Sequence, residues 1–318
     1  MKNEIKIFCV KDWKDYELLD TGEGEKLERF GPYTFVRPYE DAVWLKTLEN
    51  KEWAKADGKF WSSKVGAKPG WKMNNKIEKK WEMEYKGVKF FASPTSFRHL
   101  SFFPEQAYHW DSIYEKITSQ NETFSRVLEA EPQTSSKKSH SVSLDLKKIK
   151  FLNLFGYTGV ASLFALKAGA EVTHVDASKS SIEQAKENQK INIELAEAPM
   201  RAICDDVLKF LEREVKRGNK YDAVVMDPPK FGRGPKGEIW EIEKDLPKLL
   251  SLVRKILSDK PLFVILNSYA IDSSSLSLGY ALEDAMKVLD GEVSVGELCL
   301  LEKSNNRTIS LSNTAIWC

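Results

Sequence analysis

FLNLFGYTGVASLFALKAGAEVTHVD, Phe151–Asp176, decides the fold. A short apolar run stops at a Gly-Tyr-Thr-Gly turn, a helix-forming stretch follows over 160–168, and a second apolar run ends on an acid. Strand, helix and strand in that order are a right-handed crossover unit of a parallel sheet. The same alternation continues downstream: a helix over 179–195, the strand MRAIC, a helix over 206–217, the strand YDAVVMD, a helix over 241–258 and the strand PLFVILNS. Parallel strands with helical crossovers are covered on both faces, which explains their unbroken apolar character. The tail differs. GEVSVGELCLLE and RTISLSNTAIW are separated only by KSNN, so they read as an antiparallel hairpin at the sheet edge. The expected fold is α/β, a Rossmann-like, mostly parallel seven-stranded sheet closed by that hairpin.

Upstream the character changes. TGEGEKLERFGPYTFVRP (Thr21–Pro38) alternates and is punctuated by glycine, predicting hairpins, and residues 85–91 predict a further strand. FFPEQAYHWDSIYEKI (Phe102–Ile117) places a proline near a helix start and then apolar residues three and four apart. EPQTSSKKSHSVSLDLKK (Glu131–Lys148) is polar, Ser-rich and basic, which reads as a flexible connection. The expected organisation is a β-rich domain over 1–100 that could face substrate or RNA, a helix and linker over 101–148, and an α/β domain over 149–318.

Composition removes several classes. Of 318 residues, 42% are hydrophobic and 30% charged, enough for a soluble core. Apolar runs such as Pro261–Leu266 are too short to span a bilayer, and the first residues lack a secretory pattern. Cys9, Cys204, Cys299 and Cys318 show no C-x-x-C spacing, and the four histidines are dispersed. The expectation is a cytoplasmic, reduced protein with no metal and no membrane partner. A net charge of +1 means that any nucleic-acid surface is a local patch. One candidate is Lys68–Phe91, with seven lysines and the rings of Trp71, Trp81 and Tyr85, although such rings equally serve a small core.

In an open parallel sheet, ligands lie outside the carboxyl ends of the strands. Gly156 and Gly159 allow close backbone approach there. Asp176, seventeen residues after Gly159, could accept two ribose hydroxyls. That acid also suits NAD, but the first loop lacks G-x-G-x-x-G. The third strand ends in Cys204-Asp205-Asp206, where an acid can accept an adenine amino group, and the fourth ends in Asp227-Pro228-Pro229. An acid at three successive strand ends suits S-adenosylmethionine (SAM). Taken singly, Asp205 or Asp206 could simply cap the helix from Val207.

NLFGYTGVASLFALKAGAEVTHVDASKSSIEQAKENQKIN, CDDVLKFL and VVMDPPKF together resemble the class I SAM-dependent methyltransferases. More narrowly they are similar to the group that methylates cytosine C5 or guanine N7 in large-subunit (23S) ribosomal RNA, and the DPPKFGRGPKGE loop resembles a further bacterial branch of it. The likeness covers roughly residues 85 to 318 and includes a Phe-Phe-x-x-Gln element at Phe102, Phe103 and Gln106, with Ala107 where the group carries Arg. The resemblance implies that Phe155, Gly156, Tyr157, Thr158 and Gly159 wall the methionine and ribose. It implies that Asp176 holds the ribose beside Ala177 and Ser178, and that Asp205 or Asp206 meets the adenine with Val207. Phe103 and Gln106 fall near the methionine end, and Asp227 falls between cofactor and acceptor.

The DPPKF stretch fits such chemistry. An amine or ring nitrogen losing a proton needs an acceptor, which Asp227 offers. Pro228 and Pro229 lack N–H groups and stiffen the loop. Phe231 offers a stacking face, and Lys230, Arg233 and Lys236 offer cations to phosphates. The plain alternative is a rigid turn with solvated charges. Cytosine C5 needs a thiolate adding to the ring; the C5 members of the group carry it at the end of the fifth strand, where this chain has Leu266-Asn267-Ser268-Tyr269. Cys204 is expected in the core. The expected function is therefore SAM-dependent methylation of RNA, ribosomal RNA first, at a nitrogen. A protein or small-molecule N-methyltransferase, a non-catalytic RNA-binding factor with the same fold, and a NAD oxidoreductase are the rival readings.

Overall fold

The computed structural model describes residues 4–61, 69–130, 148–269 and 274–318. Almost all of the Ser-rich stretch read as a flexible connection lies outside them. The N-terminal half holds β1 (Ile5–Cys9), β2 (Tyr16–Gly22), β3 (Glu25–Phe30), β4 (Tyr33–Pro38), the short helix α1 (Asn50–Trp53), β5 (Gly58–Trp61), β6 (Gly70–Met73), β7 (Trp81–Tyr85) and β8 (Val88–Ala92). A single 3-10 turn at Pro104–Gln106 leads into α2 (Ala107–Ala130). The crossover units follow as β9 (Lys150–Leu154), α3 (Val160–Lys167), β10 (Glu171–Asp176), α4 (Lys179–Lys190), β11 (Met200–Cys204), α5 (Val207–Arg217) and β12 (Ala223–Met226). Next come β13 (Phe231–Arg233), β14 (Ile239–Glu241), α6 (Ile242–Ile256), β15 (Phe263–Ser268), α7 (Ser275–Met286), β16 (Val293–Leu301) and β17 (Thr308–Trp317).

The large sheet runs β1-β16-β17-β15-β12-β9-β10-β11. Its five central crossover strands are mutually parallel, and β17 lies antiparallel between β15 and β16. The seven expected strands are present, and β1 joins as an eighth, parallel to β16. The tail hairpin is thus not the sheet edge: β1 covers it. Strand order reverses between β9 and β12, the crevice where such sheets bind ligands.

Alternate residues of each central strand serve two cores. Phe151 of β9 packs with α2, α3 and an aromatic cluster that includes Trp13, Phe30, Phe90 and Trp110. Leu152 and Leu154 pack with α5, α6 and α7 on the opposite face. Trp81 and Tyr85 are buried and Trp71 is half-buried, so the early rings anchor this core rather than offer open faces.

Three sequence expectations are corrected. Residues 85–91 are not one strand: Lys86 and Gly87 both have positive φ and turn β7 back into β8. Helix α7 follows β15 where none was expected, capped by Ser274, whose side chain accepts from the Leu276 N–H. Cys204 is exposed, because β11 is the last strand of the sheet and no further strand among the described residues pairs beyond it.

Candidate active site

A cleft of about 760 Å³ opens over the carboxyl ends of β9, β10 and β12. Its floor is the turn between β9 and α3. Phe155 and Tyr157 adopt left-handed φ values of 56° and 49°, conformations costly for side-chain-bearing residues and typical of functional turns. Between them Gly156 is obligatory: a Cβ there would lie 2.4 Å from the buried His174 ring. The Asp176 carboxylate fixes the turn by accepting the Tyr157 N–H at 2.8 Å and the Ser178 N–H at 2.8 Å. Burial pushes its pKa up, and these backbone donors oppose the shift. Ser178 also caps α4, accepting the Ser181 N–H.

Asp205 and Asp206 part company. Asp206 lines the cleft with Val207 and caps α5 through the Lys209 N–H at 2.9 Å. Asp205 does not line it; its carboxylate takes the Asp206 N–H at 2.9 Å and pairs with Arg213. The capping reading therefore describes what Asp206 does locally, while its position keeps it beside the cleft.

At the end of β12, Asp227 borders the cleft from a polar frame. Asn267 Nδ2 donates to Oδ1 at 2.9 Å and Gln106 Nε2 donates to Oδ2 at 3.1 Å. Desolvation pushes the carboxyl up to about 7, with Glu105 adding to the rise and Asn267 opposing it. Gln106 Nε2 also donates to Tyr269 Oη at 3.1 Å, which leaves Oε1 facing His109 Nδ1 at 2.7 Å. With both amide hydrogens committed, His109 Nδ1 is the nitrogen that donates to Gln106 Oε1, while Nε2 lies 3.0 Å from Thr314 Oγ1, whose own hydrogen goes to the Leu266 carbonyl at 3.2 Å. Burial holds this histidine neutral, down to about 3.

Beyond Asp227 the two prolines are locked. Trp240 Nε1 donates to the Pro229 carbonyl at 2.7 Å, and its ring lies 5.0 Å from Phe155. That carbonyl is therefore spent inside the loop. Phe231 begins the small β13–β14 hairpin and is exposed at the rim with Arg233, beside the half-buried Lys230. Lys236 does not line the cleft; its backbone N–H is held by Glu238.

The cleft thus gathers Phe103, Phe155, Tyr157, Asp176, Ala177 and Ser178, and beside them Asp206, Val207, Asp227 and the Pro228–Phe231 stretch. Gln106, Gly156, Thr158 and Gly159 line a smaller cavity of about 60 Å³ that shares Phe103, Phe155, Tyr157 and Asp227 with it. Sequence reasoning missed the wall formed by Thr95–His99, and also Gln184, Trp240 and Tyr269. A Ser-Pro-Thr-Ser run at 93–96 has turn-forming composition, but nothing local in it points to the cleft. Among the described residues no group of three or more His, Cys, Asp or Glu could hold a metal, and no helix is long and apolar enough to cross a membrane.

Strand order, the glycine turn and the strand-end acids define a Rossmann-like nucleotide-binding domain of the class I methyltransferase type. Residues 129–252 match the family described as Conserved hypothetical protein 95. A crystal structure of a SAM-dependent methyltransferase from Agrobacterium tumefaciens is 37% identical, covers 98% of this chain and 93% of its own, and superposes with a TM-score of 0.85. The chain belongs to the SAM-dependent methyltransferases. Curated relatives include ribosomal RNA large subunit methyltransferase K of Neisseria meningitidis serogroup B, 32% identical over 43% of this chain and 40% of that protein. Another is methyltransferase I of Tolumonas auensis, 45% identical over 27% of this chain and 21% of that protein. The chain therefore spans well under half the length of these curated relatives.

Proposed function

We propose that this chain transfers the methyl group of SAM to RNA, ribosomal RNA first, at a nitrogen atom, and that it does so in the cytoplasm. The observation that carries the nitrogen reading is the frame around Asp227: a carboxylate held by two amides, with no thiol beside it. All four cysteines lie outside the residues that line the cleft. The ribosomal relatives support the RNA reading.

The cleft suits SAM in size and chemistry. The Gly156 turn lets backbone come close, Asp176 offers carboxylate lone pairs to a vicinal diol, and Asp206 with Val207 borders the far end. SAM supplies a methyl already activated on a sulfonium. The chain's own task is to hold the acceptor, exclude water and take up a proton. Asp227 is the proton acceptor in this reading. Gln106 and Asn267 keep its oxygens directed, and Phe231 borders the acceptor. The β-rich residues up to 100 supply the opposite wall of the cleft through Thr95–His99.

Tritiated SAM, offered with rRNA, ribosomal subunits and protein from a strain lacking the gene, tests the function. A nitrogen-methylated nucleoside in the digested RNA is expected. Label in 5-methylcytosine sinks the nitrogen assignment, and label in protein alone sinks the RNA reading.

Two variants probe the parts. Asp176→Ala should weaken SAM binding by about 1–3 kcal/mol, the cost of losing a charged hydrogen-bond partner; unchanged calorimetric affinity would remove it from the cofactor's sugar. His109→Phe removes the donor that orients Gln106 and frees the amide to turn its carbonyl towards Asp227. A loss of about 1.5–3 kcal/mol in kcat/KM is expected, as for a hydrogen bond to a charged group. His109→Phe should also shift the pH profile to higher pH, because a carbonyl turned towards Asp227 disfavours its charged form, and His109→Asn, whose amide N–H can replace Nδ1, should reverse that shift. A profile identical to wild type in His109→Phe would show the histidine to be packing only.

A further inference from the structure

Two large apolar side chains stand in water at the rim of the cleft: Phe97 is 70% exposed and Phe231 is 64% exposed, and both line it. A lone exposed phenylalanine needs no explanation. Two on one cleft, each carried on a pinned backbone, do.

Phe97 contributes little packing, yet the turn that carries it is tied down at Thr95, Phe97, Arg98 and His99. The Thr95 N–H donates to the His99 carbonyl at 3.1 Å, and the Phe97 N–H donates to Thr95 Oγ1 at 3.2 Å. Trp71 Nε1, from β6, spans the carbonyls of Thr95 at 2.9 Å and Phe97 at 3.0 Å. Arg37, from β4, donates to the Arg98 carbonyl at 3.0 Å. The N-terminal sheets thus brace a turn whose most prominent side chain touches almost nothing. On the other side, the Trp240 bond to Pro229 fixes the start of the hairpin that carries Phe231.

The charges around the rim match an anionic chain. Arg98, Lys230 and Arg233 line the same cleft. Arg98 pairs with Glu40 at 3.2 Å, both ends well exposed; such a pair is weak and readily exchanged for a phosphate. Flat aromatic faces flanked by cations suit a ring on a phosphodiester backbone, provided the ring is free to leave its neighbours.

We propose that the mouth of the cleft is a stacking subsite for an unpaired RNA base, built jointly by Phe97 of the N-terminal turn and Phe231 of the β13–β14 hairpin. This rests on the RNA reading above and narrows it: the acceptor lies in a single-stranded or extruded segment, because a base inside a duplex presents no face to the two rings. The β-rich half then completes the acceptor site rather than serving as a separate RNA module.

Binding and turnover arms separate the two ideas. The binding probe is a short fluorescein-labelled RNA of mixed sequence, free or annealed to its complement. It is titrated by anisotropy into the full chain saturated with S-adenosylhomocysteine. The wild type should favour the single strand. Phe97→Ala and Phe231→Ala should each weaken it about tenfold, within the usual range for loss of one base stack. Phe97→Trp should keep affinity near wild type. Melting temperature should not move in Phe97→Ala, since the ring is 70% exposed and stands outside the buried cores. Equal single-strand affinity in wild type and Phe97→Ala overturns the subsite, as does duplex bound as tightly as single strand. RNA that wild type and Phe97→Ala label at equal rates sinks the subsite and leaves the methyl-transfer reading standing. Single-strand binding that depends on Phe97, with no RNA ever labelled, sinks the methyl-transfer reading and leaves the subsite standing.

Discussion

Asp227→Asn should lower kcat by about 10²–10⁴-fold, the range for removing a positioned general base, while SAM affinity changes little. The variant keeps the shape and can still bond Gln106 or Asn267, but it cannot accept a proton. The wild-type rate should climb with pH through about 7, the value to which desolvation pushes this carboxyl, and the residual rate of the variant should lack that limb. The groups that face Asp227 are Gln106, Asn267, Tyr269 and Glu105; burial pushes both Glu105 and Tyr269 up. Stability should move the other way. A carboxyl whose pKa the fold raises contributes fully below its unfolded value of about 4, and that contribution is lost as pH rises through about 7. Asp227→Asn should therefore melt higher than wild type under alkaline conditions. A variant that kept its rate and its pH limb would remove Asp227 from the chemistry.

The second large effect is on folding. Arg37→Met should destabilise the protein by about 3–5 kcal/mol, the cost of stranding a buried charge, read as a lower melting temperature and denaturant midpoint. Arg37 Nε and Nη2 each lie 2.6 Å from the fully buried Glu28 carboxylate, which also takes the Tyr16 hydroxyl at 2.8 Å. Lys26 stands 3.3 Å away and softens the loss. Burial alone would raise the Glu28 carboxyl, but Arg37, Lys26 and the hydrogen bonds bring it to about 2. Its contribution is complete above the unfolded value of about 4 and is lost as pH falls through about 2. Replacing Glu28, Arg37 and Lys26 by apolar residues and Tyr16 by Phe should recover much of the stability, since no member of the buried cluster is then left without a partner. The combined variant should still bind single-stranded RNA poorly, because the tie from Arg37 to the Arg98 carbonyl is gone.

Legibility in the sequence followed the range of the interactions. The crossover strands and helices were readable because each is a local pattern, and the strand-end acids Asp176, Asp206 and Asp227 stood out against apolar runs. The turn at Lys86-Gly87 was not, because lysine in a left-handed conformation is not a turn signature, whereas Asn-Gly or Asp-Gly would be. Helix α7 hid behind its serine-rich start, although Leu278, Leu282 and Met286 of its buried face recur at helical spacing. The partners of Asp227 come from residues 106 and 267, and the brace of Phe97 from residues 37 and 71. No local pattern announces a contact across such separations. Cys204 was misplaced because its exposure depends on β11 being the outermost strand, which the order of strands in space decides.

Strand β1 gives this topology a temporal cost. Ile5 sits opposite Val295, so β1 finds its hydrogen-bonding neighbour only after every crossover unit between them has been synthesised. Until then its apolar residues and open backbone groups must wait on the ribosome or under a chaperone, and the slowest event in maturation is expected to be the docking of β1 onto the β16–β17 hairpin.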